Sequence, residues 1–268
     1  MEKRELGRTR EKVPVIGMGT WKIGSSQEEL ALEIQALRRG IGLEMTLIDT
    51  AEMYGDGNAE KLVGQAVKGA RDEVFIATKV SPEHFGYEDV LRSCESSIRR
   101  LGVEHIDLYQ LHWPSYQIRI EETMKAMEEL VSRGKIRYIG VSNFSVAQTL
   151  KAREALPRSE VVSNQVRYSL THRSIESELL PFCEEEKITV IAYSPLDTGK
   201  LPKNKIPQAL LDKYGLTPAQ LMLNWVTYKK AVVAIPKASN AWHVEENAAA
   251  IKKRISADDY RALAKKFD

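Results

Sequence analysis

Residues 74–112 read VFIATKVSPEHFGYEDVLRSCESSIRRLGVEHIDLYQLH and hold one complete strand–helix–strand unit. Val74 to Lys79 and Ile106 to His112 are largely apolar without alternation, as strands covered on both faces must be. Between them Val90, Leu91, Cys94, Ile98 and Leu101 recur at helical spacing on one face, and Gly102 ends the run. Apolar strands joined by an amphipathic helix specify parallel pairing, with the helix packed outside the sheet.

The same alternation extends in both directions. Upstream lie Ile16 to Thr20 and Thr46 to Asp49; downstream lie Ile136 to Asn143, Val161 to Gln165, Ile188 to Ser194 and Val232 to Pro236, which makes eight strands. Ser26 precedes Glu29 in a capping-box pattern, Leu30, Ile34 and Leu37 share a face, and Gly40 reads as a stop. Met124, Met127 and Val131 form a core stripe that ends at Gly134. Thr217-Pro218-Ala219-Gln220 places a cap, a proline at the first helical position and a glutamine three residues beyond the cap. Two more helices are expected, from Ala241 to about Ile251 and from Asp258 to Lys266, and Lys3 to Val15 reads as a short hairpin turning near Arg8-Thr9-Arg10. The expectation is an α/β fold, a (β/α)8 TIM barrel with a short N-terminal β-hairpin, as a single domain over residues 1–268. A doubly wound sheet would need Gly-x-Gly-x-x-Gly after its first strand, and Gly17-Met18-Gly19-Thr20-Trp21-Lys22 fails at its last position.

Composition excludes several function classes. Thirty-nine basic residues against 37 acidic ones leave a net charge of +2, which suits neither a nucleic-acid groove nor a polybasic membrane patch. A chain that is 43% hydrophobic and 28% charged folds into a globule rather than remaining disordered. Cys94 and Cys183 have no histidine at ligand spacing and read as buried apolar residues. The five histidines, His84, His105, His112, His172 and His243, form no i, i+4 pair, so a metal-dependent barrel enzyme lacks its ligands. With no leader-like or membrane-spanning apolar run, a cytoplasmic protein is expected, a monomer or weak homo-oligomer.

In a barrel of this kind chemistry belongs at the C-terminal ends of the strands. Those ends carry Asp49, Lys79, His112, Ser142-Asn143, Asn164-Gln165, Tyr193-Ser194 and Lys237, and Tyr54 follows Asp49 by five residues. Each alone has a plain structural reading: Asp49 as a helix cap, Lys79 as a solvated strand end, His112 as a satisfied core histidine. Strand geometry nevertheless aims all of them into one mouth. A phenol is a sluggish acid at neutral pH, so a neighbouring Lys79 is expected to lower the Tyr54 pKa, with Asp49 holding the lysine charged. His112 can donate a hydrogen bond to a carbonyl oxygen that gains charge. These groups suit protonation of an oxygen during carbonyl reduction, and a cofactor must supply the hydride.

The motifs resemble those of the aldo-keto reductase family over nearly the whole chain. Gly17-Met18-Gly19-Thr20-Trp21 is similar to its first-strand signature, and Asp49-Thr50-Ala51-Glu52-Met53-Tyr54-Gly55 to the segment with the catalytic Asp and Tyr. Thr78-Lys79 and Leu111-His112-Trp113-Pro114 match the lysine and histidine segments. The resemblance implies an NADP or NAD cofactor bound across the mouth and a small-molecule carbonyl substrate. It makes Tyr54 the general acid, tuned by Lys79 and Asp49, with His112 orienting the carbonyl. Ser142, Asn143 and Gln165 would hold the nicotinamide carboxamide, and Tyr193 would stack on its ring. Gly19, Thr20, Trp21, Asp49, Ser194, Leu196, Lys237, Ala238, Ser239, His243, Glu246 and Asn247 complete the implied cofactor contacts. Trp21, Tyr54, His112 and Trp113 would line the substrate pocket, giving it an aromatic character.

Two departures from the family pattern carry expectations. His243 stands where NADP-preferring members usually carry an arginine, and Ala238 replaces a serine, so dual or NAD-leaning cofactor use is expected. The chain ends soon after its last helix, so an open and permissive pocket is expected, with small dicarbonyls, sugar-derived ketones and aromatic aldehydes all eligible. The alternative function is a cofactor-binding sensor or regulatory subunit with the same fold and little turnover. The intact set of Asp49, Tyr54, Lys79 and His112 argues against it.

Overall fold

The structure, a computed structural model, describes residues 1–24, 26, 28–200 and 205–267. A hairpin comes first, with β1 (Lys3–Glu5) antiparallel to β2 (Lys12–Pro14). Eight parallel strands follow: β3 (Met18–Gly19), β4 (Leu47–Asp49), β5 (Phe75–Val80), β6 (Ile106–Leu111), β7 (Ile136–Ser142), β8 (Val161–Arg167), β9 (Thr189–Tyr193) and β10 (Val232–Ala234). Each strand pairs with its sequence neighbour. The seam between the first and last closes through bridges from Ile16 to Ala234 and from Gly19 to Lys237. Gly17 N–H donates to the Ala234 carbonyl at 2.8 Å and Gly19 N–H to the Pro236 carbonyl at 3.1 Å. The regular ladder of the first strand covers only Met18–Gly19, and isolated bridges at Ile16 and Gly19 complete its pairing across the seam.

Among the described residues ten α-helices surround the strands: α1 (Leu30–Gly42), α2 (Asn58–Val67), α3 (Tyr87–Leu101), α4 (Ile120–Ser132), α5 (Val146–Glu154), α6 (Leu179–Glu185), α7 (Gln208–Tyr214), α8 (Pro218–Val226), α9 (Ala241–Ala249) and α10 (Ala257–Lys265). The last barrel helix, α9, packs against α1 and α8 and so closes the outer ring.

The strands bury two faces, and alternate residues serve each. Leu47, Phe75, Ala77, Leu108, Ile191, Val233 and Ile235 form a core of their own inside the barrel. Their neighbours Ile48, Ile76, Tyr109, Val190, Val232 and Ala234 join the larger core under the helices. Leu6 and Val13 of the hairpin belong to the inner core and plug one end of the barrel. Arg4 anchors the hairpin on the carbonyls of Thr227 at 2.6 Å, Lys229 and Val232, and Gly7 N–H donates to Thr189 Oγ1 at 2.8 Å. With that end sealed, the polar strand ends face the open mouth opposite.

Helix punctuation is legible in part. Gly102, at φ 66°, caps α3, Gly134 follows α4 at the same φ, and Thr217 and Gln220 form the complete capping box of α8. The box expected at Ser26 and Glu29 does not form: Glu29 is the N-cap of α1, with no side-chain cap bond. Buried Glu33 instead reaches back to accept Gly24 N–H at 2.9 Å. Gly40 is no stop either, since α1 runs on to Gly42; a Cβ at Gly40 would lie 2.1 Å from Met18 Sδ, so glycine there permits close packing of helix on strand.

Candidate active site

Four of the expected residues meet at the mouth. Asp49 ends β4, Lys79 lies in β5, His112 follows β6, and Tyr54 sits in the loop between β4 and α2. Lys79 is fully buried, and its Nζ donates to Asp49 Oδ2 at 2.8 Å, to the Thr50 carbonyl at 2.8 Å and to Tyr54 OH at 3.4 Å. The ammonium also lies 5.0 Å from the centre of the Tyr54 ring. Across the barrel Gln165 Nε2 donates to Asp49 Oδ1 at 2.7 Å, so both carboxylate oxygens are engaged. The His112 ring meets Tyr54 edge-on at 5.6 Å between centroids, and Trp113 stacks on His112 at 6.4 Å.

Burial sets the protonation states. It would by itself push the Lys79 ammonium down, but Asp49 and Tyr54 outweigh it and hold the pKa above the ordinary lysine value. Tyr54 departs from expectation. Loss of solvent raises its pKa; Lys79 pulls it down, Asp49 pushes it back up, and the sum lies above an ordinary phenol. Lys79 lowers the Tyr54 pKa as its charge predicts, but desolvation is the larger effect. Tyr54 therefore keeps its proton at neutral pH.

His112 goes the other way: burial first, and the Lys79 cation second, drive its pKa down to about 3. Its Nδ1 is buried with no hydrogen-bond partner among the described residues. The unfolded imidazole takes up a proton below about pH 6.5, whereas the folded one does so only near 3. Stability that is present above about pH 6.5 is accordingly lost as the pH falls through that window. The His112 ring signals are expected to stay at neutral positions in an NMR titration from about pH 8 to pH 5. A midpoint near 6.5 would contradict the burial argument.

A second set of polar groups lies beside these four. Ser142 Oγ donates to the Gln165 carbonyl at 2.9 Å. Asn143, in the left-handed region at φ 62°, donates to Ser142 Oγ at 3.0 Å and to the His112 carbonyl at 3.2 Å. Tyr193 OH donates to Asn143 Oδ1 at 3.0 Å, and burial raises the Tyr193 pKa despite the nearby Arg167. Ser194 is also left-handed, at φ 50°, and Leu196 is half-buried. Gly19 and Thr20 are buried at the seam, and Thr20 Oγ1 has no partner among the described residues. Lys237 is exposed after β10, Ala238 and Ser239 are half-buried, and Asn247 is buried on α9.

His243 is exposed in the first turn of α9, with Nδ1 3.4 Å from Glu246 Oε2. Glu246 also accepts from Thr217 Oγ1 at 2.7 Å, so it ties α8 to α9 as well as pairing with His243. Trp21 and Trp113 are 48% and 45% exposed, which rules out core packing for either and leaves them on the surface of the mouth.

Glu52, Glu60 and Arg100 surround the Tyr54 loop without any motif in the sequence to mark them. The contact of Gln165 with Asp49 has no such mark either. Helix α5 carries its own Ser-x-x-Gln signal, and Ser145 with Gln148 forms a capping box.

Residues 15–268 match the model of the aldo/keto reductase family. The chain belongs to that family. Methylglyoxal reductase YeaE of Escherichia coli (strain K12) is 42% identical over 260 residues, covering 95% of this chain and 91% of its own. Glyoxal reductase of Bacillus subtilis (strain 168) is 34% identical over 254 residues, covering 92% and 87%. The crystal structure of an aldo/keto reductase from Klebsiella pneumoniae in complex with NADP and acetate superposes with a TM-score of 0.91 at 41% identity, covering 99% of this chain and 95% of that one. The aldo/keto reductase barrel is thus shared at full length, which agrees with the eight-stranded closure described above.

Proposed function

We propose that this aldo/keto reductase reduces aldehydes and ketones with NADPH, with small dicarbonyls foremost among its substrates. The buried Lys79 bridging Asp49 and Tyr54 beside a neutral His112 carries the reading. Two relatives named for methylglyoxal and glyoxal reduction support the substrate class.

The residues present fit a nicotinamide. Asn143 links the half-buried Tyr193 to Ser142, and the Gln165 amide lies on Asp49, a donor and acceptor set suited to a carboxamide and a flat ring. Those residues would hold it, with Gly19, Thr20, Ser194, Leu196, Lys237, Ala238, Ser239, His243, Glu246 and Asn247 along the rest of the cofactor. When bound it supplies the hydride. Tyr54 gives its proton to the substrate oxygen as negative charge builds there. Lys79 stabilises the phenolate left behind, and Asp49, held by Gln165, keeps the lysine charged and in place. His112, neutral, donates a hydrogen bond to the same oxygen, and Trp21 and Trp113 present an apolar wall to the substrate. In alcohol oxidation Tyr54 acts as the base.

His243 also bears on the cofactor. Paired with Glu246, it offers a 2′-phosphate less than a forked arginine would. NADPH is expected to be favoured over NADH by less than about a hundredfold in kcat/KM, about 2.7 kcal/mol. An absorbance assay over a panel of dicarbonyls, ketones and aromatic aldehydes, run with each cofactor, tests both points. Cofactor binding without oxidation by any carbonyl would point to the sensor function instead, and a larger NADPH preference would remove His243 from the argument.

A further inference from the structure

Behind the Tyr54 loop lies a charged cluster that contributes nothing to the chemistry above. Glu60 of α2 is fully buried; its Oε2 accepts Arg100 Nε at 2.5 Å and its Oε1 accepts Thr78 Oγ1 at 2.6 Å. Thr78 is the immediate neighbour of Lys79. Glu52, two residues before Tyr54, lies with Oε2 4.0 Å from the same Arg100. Its Oε1 accepts Ser81 N–H at 2.7 Å and lies 2.9 Å from His84 Nδ1. On the other side of Tyr54, Gly57 sits at φ 83°, where a Cβ would come within 2.5 Å of Arg100 Cδ and 2.7 Å of Nε. Only glycine lets the loop lie flat on the guanidinium there.

One arginine on α3 therefore touches the Tyr54 loop before and after the tyrosine, and through Glu60 and Thr78 it reaches the strand that carries Lys79. We propose that Arg100 is a positioning residue for Tyr54, working through Glu52 and Glu60, and this rests on the reading of Tyr54 as the proton donor. The contact it protects is a sensitive one. Lys79 Nζ and Tyr54 OH stand 3.4 Å apart, at the long end of hydrogen bonding, so a small outward movement of the loop breaks the link. The competing explanation is that the cluster only holds the fold together. Buried ion pairs are weak evidence for stability in themselves, because desolvation offsets much of their attraction. A guanidinium hydrogen-bonded to Glu60, within 4.0 Å of Glu52 and packed against Gly57 is better suited to fixing geometry.

The test uses the full chain with Arg100→Leu, Arg100→Lys and Glu52→Ala. Active sites are counted by stoichiometric NADPH binding, so that kcat is expressed per binding-competent molecule. For Arg100→Leu and Glu52→Ala, kcat is expected to fall about 10-fold to 100-fold, as positional errors near an ångström do. The NADPH Kd should be unchanged, and the solvent deuterium isotope effect on kcat should rise as proton transfer becomes slower. Arg100→Lys keeps a charge beside Glu60 but cannot span both carboxylates; it should recover thermal stability and only part of kcat. If Arg100→Leu does not fold, Arg100→Lys decides, because it keeps a cation beside Glu60 while withdrawing the arm that approaches Glu52 and leaving the Glu52 bonds to Ser81 and His84 intact. Unchanged kcat and isotope effect per binding site, with only a lower Tm, would overturn the positioning role. Tyr54→Phe separates this from the underlying reading. An active Tyr54→Phe removes the reading itself, whereas an inactive one beside fully active Arg100→Leu and Glu52→Ala removes only the brace.

Discussion

Tyr54→Phe is expected to lower kcat for carbonyl reduction by about 10²- to 10⁴-fold, the range that positioned acid–base groups supply, and to leave NADPH binding intact. The substitution removes one oxygen and little else. The ring persists, so the edge contact with His112 at 5.6 Å and the approach of Lys79 to the ring face at 5.0 Å both survive. Lys79 keeps its bonds to Asp49 and to the Thr50 carbonyl, so no buried charge is stranded and the fold should be undisturbed. What disappears is the only side-chain O–H placed against Lys79 among the described residues. His112 cannot take over as acid, because with a pKa near 3 it carries no spare proton at neutral pH. Stopped-flow reduction with matched cofactor titrations measures the two quantities separately. Near-wild-type turnover in this variant would sink the proposed mechanism.

Much of this site was legible because parallel strands order side chains strictly. Once Val74 to Lys79 and Ile106 to His112 were read as neighbouring buried strands, Lys79 and His112 had to emerge at the same end of the barrel, and they do. The hairpin was legible for a similar local reason, as its turn lies within a few residues of both strands. The brace was not legible. Arg100 and Glu60 stand 40 positions apart on different helices, and each reads in sequence as an ordinary charge on an amphipathic surface. Nor could the direction of the Tyr54 shift be read, since it depends on how far burial outweighs one favourable cation, and burial is a property of the packed loop. The misread stop at Gly40 has the same origin. A glycine required by a neighbouring methionine looks in sequence like a glycine required by a turn.

Lys79→Met is expected to damage stability and activity by separable routes. Lys79 has no exposed surface, and Asp49 beside it is nearly as deep. Removing the ammonium leaves the Asp49 carboxylate with Gln165 as its remaining side-chain donor, an uncompensated buried charge that costs about 3–5 kcal/mol. The double variant Asp49→Asn, Lys79→Met removes that charge and retains an acceptor for Gln165 Nε2. Its unfolding free energy should return most of the way to wild type, so the two substitutions couple strongly in a double-mutant cycle. Activity should not return with it. Lys79 lowers the Tyr54 pKa against the pull of burial, so its loss raises that pKa further in either variant. In alcohol oxidation, where Tyr54 must give up its proton first, the alkaline rise in kcat/KM should therefore move to higher pH. Urea unfolding and the oxidation pH profile measure the two routes independently. Recovery of kcat in the double variant would mean that Lys79 serves only to neutralise Asp49, and that Tyr54 works without it.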